Sequence, residues 1–158
     1  MKKILTLITA LMVGSSAFAM SADDALSFFA KYVNDANAQS PKIVDYYEPN
    51  AKIIRVVVLP DGKTESVTTD MREYTRQLKI GANIAKINKY KNFYTERKVT
   101  KVGNDYKITC NRQPSTSDYK LPAHFVIGTD ANGNMKIKEE MMYTKQTAIL
   151  RKAKANKK

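Results

Sequence analysis

The residues that could carry acid–base or nucleophilic chemistry are few in this sequence. His124 is the only histidine and Cys110 the only cysteine, so paired histidines and cysteine-based metal clusters are excluded. A lone cysteine in a strand is typical of a small buried hydrophobic residue. His124 falls on the less apolar side of its strand, which favours a surface or edge position. No catalytic residue with an identifiable partner is predicted.

A calcium-like run, Asp130-Ala131-Asn132-Gly133-Asn134, is the one remaining pattern typical of a metal site. Its glycine comes too early for a calcium loop, and the twelfth position is Met141 rather than a glutamate. Asn132-Gly133 instead predicts a hairpin turn. The glycines form no phosphate-binding pattern either. The sequence therefore predicts no metal and no cofactor.

The apolar periodicity predicts helices first and strands afterwards. Helical spacing runs over 21–38, and Ser40 with Pro41 begins a second helix that Pro49 ends. Asp70 caps a third helix, for which Gly81 is the predicted end. Strands are predicted at 53–59, 64–68, 84–101, 106–112, 119–128 and 135–147.

This order predicts an α+β domain whose helices pack on one face of a curved antiparallel sheet. The domain is expected over 20–150, followed by a basic, frayed tail over 151–158. Residues 1–19 have two lysines, a short apolar run and a final Ala17-Phe18-Ala19, which is typical of a cleavable signal peptide. We therefore expect export to a bacterial periplasm, with no transmembrane span left after cleavage.

The chain is strongly basic, with 27 Lys+Arg against 15 Asp+Glu. Removing Lys2 and Lys3 leaves 25 against 15, or +10. Such a charge favours an anionic lipid, glycan or protein surface as partner, with simple solubility as the alternative. Basic and aromatic residues alternate over 86–101, as in some nucleic-acid binders, but the expected compartment makes nucleic acid unlikely.

Two stretches resemble the NTF2-like superfamily, the cone-shaped fold of nuclear transport factor 2, SnoaL-type cyclases and ketosteroid isomerases. One is 43–51, an aromatic helix end followed by a turn and Asn50-Ala51 entering a strand; the other is the final hairpin, 127–137. The resemblance covers about 21–150. It implies a pocket between the concave sheet face and the helices, and relatives often form homodimers through the sheet.

The resemblance predicts a ligand-binding pocket more readily than an enzyme. An isomerase of this fold needs a carboxylate base near the first strand, but the strand after Lys52 carries only Arg55 as an ionisable group. We therefore expect a binding or interaction module for a small apolar ligand or an anionic partner. The alternative is an enzyme of the SnoaL or ketosteroid-isomerase type using Tyr32, Asp45, Arg55 or His124. The residues expected to line the pocket are Tyr32, Tyr47, Ile54, Arg55, Phe93, Ile108, Phe125 and Met141.

Overall fold

The computed structural model describes residues 20–155, so the predicted signal peptide and the last three tail residues lie outside it. The helices are α1 (Ala22–Asn37), a 3₁₀-helix (Pro41–Tyr46), α2 (Met71–Ile87) and α3 (Ala148–Ala155). The strands are β1 (Tyr47–Val58), β2 (Thr64–Thr69), β3 (Asn92–Val102), β4 (Asp105–Pro114), β5 (Leu121–Thr129) and β6 (Met135–Thr144).

The six strands form one sheet in the order β2-β1-β6-β5-β4-β3. Neighbours are antiparallel except β1 and β6, the second and third strands of the sheet, which pair in parallel. The predicted α+β class, with N-terminal helices followed by a curved, mainly antiparallel sheet, is confirmed.

Helix α1 lies across the sheet and supplies much of the core. Ser21 and Asp24 form a reciprocal capping box at its start. Its buried face includes Phe29, Tyr32 and Val33, which join strand residues in the main apolar cluster. The helix thus covers the inner face of the sheet, the face on which a site within the cone would lie.

The second predicted helix is a 3₁₀-helix that ends at Tyr46, and β1 begins directly at Tyr47. Ser40 caps it and Pro41 occupies its first turn, as expected. Pro49 lies within β1 rather than before it, close to an irregularity in the β1–β6 pairing between Tyr47 and Lys52. Such irregular positions tolerate a missing backbone N–H.

The predicted end of α2 at Gly81 is wrong, and so is the strand predicted from residue 84. The helix continues to Ile87, and β3 begins only at Asn92. Gly81 does not have the positive φ of a helix-ending glycine; Lys89, with φ 49°, takes the left-handed turn instead. Ile80, Ile84 and Ile87 follow the helical spacing i, i+4, i+7, which their β-branched character had concealed.

A short helix ends the described part of the chain. Residues 148–155 form α3, so the expected domain end at 150 falls inside a helix. Leu150 is buried, which ties this helix to the domain.

Candidate functional site

The interior of the domain contains a buried carboxylate. Glu140 on β6 is 0% exposed and lies beside Ile53 of β1 and Phe125 of β5 in the sheet register. Its Oε2 accepts hydrogen bonds from the hydroxyls of Tyr32, at 3.0 Å, and Tyr47. Its Oε1 accepts from Arg55 Nη2 at 2.5 Å. None of these hydrogen-bond partners belongs to β6, so the Glu140 carboxylate joins α1 and β1 to β6.

A third tyrosine extends this cluster towards α2. The Tyr74 hydroxyl lies 3.4 Å from that of Tyr47 and 3.5 Å from Glu140 Oε1. The Arg55 guanidinium stacks over the Tyr74 ring, 5.6 Å from its centroid. Glu140, Arg55, Tyr32, Tyr47 and Tyr74 together are called the buried polar cluster below.

Burial and the Glu140 charge determine the protonation of this cluster. Burial, and then Glu140, raise the pKa values of Tyr32 and Tyr47 well above 10.0, and they raise the pKa of Tyr74 to about 12. Burial alone would lower the pKa of Arg55, but Glu140 together with Tyr74 and Tyr47 outweighs burial, so the pKa of Arg55 is raised. At neutral pH the three phenols around the Arg55–Glu140 salt bridge are therefore protonated, so none of them is a ready general base.

Aromatic rings fill the space between α1 and the sheet. Phe29 lies 4.7 Å from Phe125 and 5.4 Å from Tyr94 between ring centroids, and Tyr32 lies 5.6 Å from Phe125. All four side chains are at least nine-tenths buried. The inner face beside Glu140 is thus occupied by the chain's own side chains.

Arg112 forms a second buried polar group on the same sheet face. It is 7% exposed and donates to Asn92 Oδ1 at 2.8 Å, to the Tyr90 hydroxyl at 2.9 Å and to the Tyr143 carbonyl at 3.4 Å. These neutral acceptors tie β4 to the start of β3. No carboxylate within residues 20–155 forms a salt bridge with it.

A surface cleft of about 590 Å³ borders the buried polar cluster. It lies between the 3₁₀-helix, the start of β1 and the first turns of α2, and Tyr47 belongs to both the cleft wall and the cluster. Apolar and charged groups alternate around it. Its lining consists of Val44, Asp45, Tyr47, Glu48, Pro49, Met71, Arg72, Thr75, Asp130 and Lys136.

The outer face of the sheet carries a smaller groove of about 290 Å³. His124 lies there, opposite Met141, with its Nε2 2.7 Å from Glu139 Oε1. His124 is only 8% exposed, so the expected surface or edge position is wrong. The neighbouring strands and the paired Glu139 side chain cover the imidazole of His124. Within residues 20–155 there is no group of three or more His, Cys, Asp or Glu side chains that could hold a metal ion.

Comparison with known proteins identifies the architecture. The chain superposes on an NTF2-like protein of unknown function from Pseudomonas putida KT2440 with a TM-score of 0.59, at 8% identity over 77% of this chain and 84% of that one. An NTF2-like protein from Cytophaga hutchinsonii gives 0.57 at 11% identity, over 79% and 98%. A ketosteroid isomerase-like protein from Parabacteroides distasonis gives 0.53 at 11% identity, over 85% and 95%.

The chain has the NTF2-like fold. The fold implied by the resemblance drawn from its sequence is thereby confirmed. No protein-family model matches the chain, and no curated protein matches it in sequence. A shared fold at such identities shows architecture and not activity.

The NTF2-like cone brings together only part of the predicted pocket. Tyr32, Tyr47 and Arg55 meet at Glu140, and Ile108 and Phe125 are fully buried on the same inner face. Ile54 and Met141 are register partners on the outer face, and Phe93 is 51% exposed on the edge strand β3. Three of the eight predicted residues therefore lie away from the interior: Ile54, Phe93 and Met141.

The residue that sequence reasoning missed is Glu140, and a bulge in β6 explains why. Strict alternation from the buried Ile137 would point Glu139 and Met141 inwards. The β5–β6 register shifts after Val126, where Ile127 pairs with Ile137 but Val126 pairs with Glu139. The additional residue, Lys138, turns Glu140 and Met142 inwards instead. Apolar alternation alone carries no signal for this shift.

The positions of Asp45 and His124 limit their alternative catalytic roles. Asp45 lines the surface cleft, whereas His124 faces the opposite side of the sheet. His124 therefore cannot act on one small substrate together with Asp45, Tyr32 or Arg55.

No helix in residues 20–155 has the length and apolar character needed to span a bilayer.

Proposed function

We propose that this NTF2-like chain is an exported, non-catalytic binding module that takes a small amphiphilic ligand in the cleft beside Tyr47. The observation that carries the proposal is the closed interior with an adjoining open cleft. Glu140 finds all its hydrogen-bond partners within the chain, and aromatic rings cover it. The cleft volume of about 590 Å³ lies within the usual range of ligand sites, roughly 300–1,000 Å³.

The lining of the cleft indicates the chemistry of its ligand. Val44, Pro49 and Met71 offer apolar contact for a hydrocarbon body. Arg72 is exposed and forms no salt bridge with any other residue in 20–155. The Lys136 ammonium group already donates a hydrogen bond to the Asp45 carbonyl oxygen at 2.6 Å. Arg72 is therefore the cation available to the polar head group of the ligand, and the carboxylates of Asp45, Glu48 and Asp130 also line the cleft.

The position of the domain start supports the proposed export. Cleavage after Ala19 would leave Met20 as the first residue, followed directly by the α1 cap Ser21. Met20 packs against the apolar core. Removal of residues 1–19 would thus leave every described element in place, as expected for a leader that precedes a periplasmic domain.

An enzyme is the second candidate, and the buried polar cluster is the observation that favours it. Titratable groups with shifted pKa values often cluster at active sites, and here an ion pair lies beside three phenols of raised pKa. A catalytic group must reach its substrate, however, and the Glu140 side chain is fully buried. A structural role for the cluster therefore accounts for more of the geometry.

Native mass spectrometry of protein purified from the periplasm of a Gram-negative host tests the proposal. We expect a mature chain beginning at Met20 that carries a bound small molecule. Thr75→Trp places a large ring in the cleft and should remove that molecule. Thr100→Trp, on the exposed part of β3, is the matched control and should retain it.

Two results would overturn the proposal. One is a mature chain that carries no small molecule; the other is a bound molecule that Thr75→Trp leaves in place. Incubation of the purified protein with the released molecule separates the two candidate functions. Conversion of that molecule by the parent chain, abolished by Glu140→Gln, would establish the enzyme instead.

A further inference from the structure

The second half of α2 exposes a row of isoleucines that no element in residues 20–155 covers. Ile80, Ile84 and Ile87 are 60%, 61% and 79% exposed. Their spacing of i, i+4 and i+7 places them in one line along the helix. The opposite side of α2, with Met71 and Tyr74, packs on the core. The isoleucine row therefore faces away from the domain.

A row of basic residues runs beside the isoleucine row. Arg72, Lys79 and Lys86 recur at i, i+7 and i+14, which places them on a single flank about 100° from Ile80. All three are exposed. Glu73 is the only acidic residue of α2, and Arg76 neutralises it in a bidentate pair. The outer side of α2 therefore combines apolar surface with unopposed positive charge.

We propose that α2 docks this basic–apolar face on an anionic phospholipid membrane. A helix that lies in a membrane interface buries its apolar row among the acyl chains and keeps lysines and arginines at the head groups. Exposed isoleucines flanked by a basic row meet both requirements. The surface differs from the ligand cleft, which opens on the first turns of α2, and Arg72 alone belongs to both.

The same charges disfavour a second copy of the chain as the occupant. Two α2 helices packed antiparallel about a two-fold axis through their isoleucine rows would bring the two basic flanks side by side. The like charges of two adjacent basic flanks would repel each other. Anionic head groups neutralise the same row, so the charge complementarity favours lipid.

The chain contains no tryptophan, so a single introduced one reports directly on membrane contact. We expect the fluorescence of Ile84→Trp to shift to the blue with vesicles of phosphatidylglycerol and phosphatidylcholine, but not with phosphatidylcholine alone. Val102→Trp is the matched control, since Val102 is 50% exposed at the end of β3. Its fluorescence should stay unchanged with both vesicles.

Vesicle co-sedimentation of the full mature chain then tests the two rows separately. Ile84→Ser should weaken binding roughly tenfold, because it removes one buried apolar side chain. Lys79→Gln with Lys86→Gln should weaken it by on the order of tenfold or more and reduce its salt dependence. The same two neutralisations at Lys98 and Lys101 on β3 serve as the charge-matched control.

Three outcomes would overturn the docking proposal. The first is equal binding to neutral and anionic vesicles, and the second is equal loss from the β3 and α2 charge variants. The third is a dimer in light scattering that Ile84→Ser converts to monomer while vesicle binding persists. None of these outcomes depends on the ligand cleft. A failure of Thr75→Trp to remove the bound small molecule and a failure of the chain to bind membranes are therefore separate results.

Discussion

The Glu140 carboxylate can be buried because groups of the protein, and not water, supply its counterion and its hydrogen bonds. Arg55 balances its charge, and the hydroxyls of Tyr32 and Tyr47 occupy the other carboxylate oxygen. Within residues 20–155, no buried side-chain nitrogen or oxygen lacks a hydrogen-bond partner. A buried network whose polar groups all have partners fixes the relative positions of the elements that carry them. Loss of one member leaves the other groups buried without a partner, which costs a large desolvation free energy.

Arg55→Met should lower the free energy of unfolding by about 3–5 kcal/mol, because it leaves the Glu140 charge buried without a counterion. Adding Glu140→Gln removes that charge at nearly constant shape. We expect the double variant to be more stable than Arg55→Met alone, with a residual loss of about 1–3 kcal/mol. Urea unfolding of the parent, both single variants and the double variant gives the coupling energy.

Arg76→Met is the control, since Arg76 pairs with Glu73 on the exposed side of α2 and a surface pair of this kind contributes little. Strictly additive losses at Arg55 and Glu140 would contradict the prediction. So would a loss at Arg76 as large as the loss at Arg55.

At the residue scale, the sequence pointed to three members of the buried polar cluster but not to its centre. Tyr32 and Tyr47 lie on apolar faces with helical or strand periodicity, and Arg55 interrupts a β-branched run, so all three stand out from their neighbours. Glu140 lies in a lysine-rich strand whose bulge reverses the alternation. A one-residue shift of register exchanges the two faces of a strand, and the local sequence contains no measure of it.

Helix α2 shows how a local signal can mislead at the scale of an element. A glycine after an apolar stripe is typical of a helix end, yet Gly81 lies in the middle of α2. A Cβ built at Gly81 meets no atom within 4 Å. The glycine therefore weakens the helix without serving a packing contact.

Gly81→Ala should raise the free energy of unfolding by about 0.5–1 kcal/mol, because alanine restricts the unfolded chain and favours the helix. Gly62→Ala is the matched control. Its Cβ would also meet nothing within 4 Å, but its φ of +82° belongs to the left-handed region that alanine disfavours. We expect that variant to be less stable than the parent in thermal and urea unfolding.

A stabilised Gly62→Ala, or a destabilised Gly81→Ala, would contradict this assignment.

The starts of the first three helices followed from the sequence because their capping signals are local. The capping residues Ser21, Ser40 and Asp70 each accept the expected backbone hydrogen bond. The end of α2 did not follow from the sequence, because packing and the turn at Lys89 determine it.

The stability of the whole molecule should fall steeply in alkali. Folding raises the pKa values of Tyr32 and Tyr47 well above 10.0 and that of Tyr74 to about 12, mainly through burial. The unfolded chain therefore loses these protons first, near pH 10. The associated stability is complete below pH 10 and is lost as pH rises from 10 towards 12.

Urea midpoints measured from pH 8 to pH 12 test this expectation. Cys110 acts in the same direction at lower pH, because burial raises the pKa of its thiol from 9.0 to about 11. Cys110→Ala separates the two contributions. Tyr74→Phe removes one titrating phenol, so its midpoint should fall less steeply above pH 10 than that of the parent. A midpoint that stays constant across the range would contradict the prediction.

The parallel pairing of β1 with β6 has a consequence for the order in which the molecule assembles. Arg55 and Tyr32 lie 85 and 108 residues before Glu140, and β6 occupies the middle of the sheet between β1 and β5. Contacts that close such long loops form late and slow the folding rate. When the chain emerges with its N-terminus first, from a ribosome or through a translocation pore, the sheet cannot be completed before Thr144 is released. The native state therefore forms after release, which is compatible with the export proposed above.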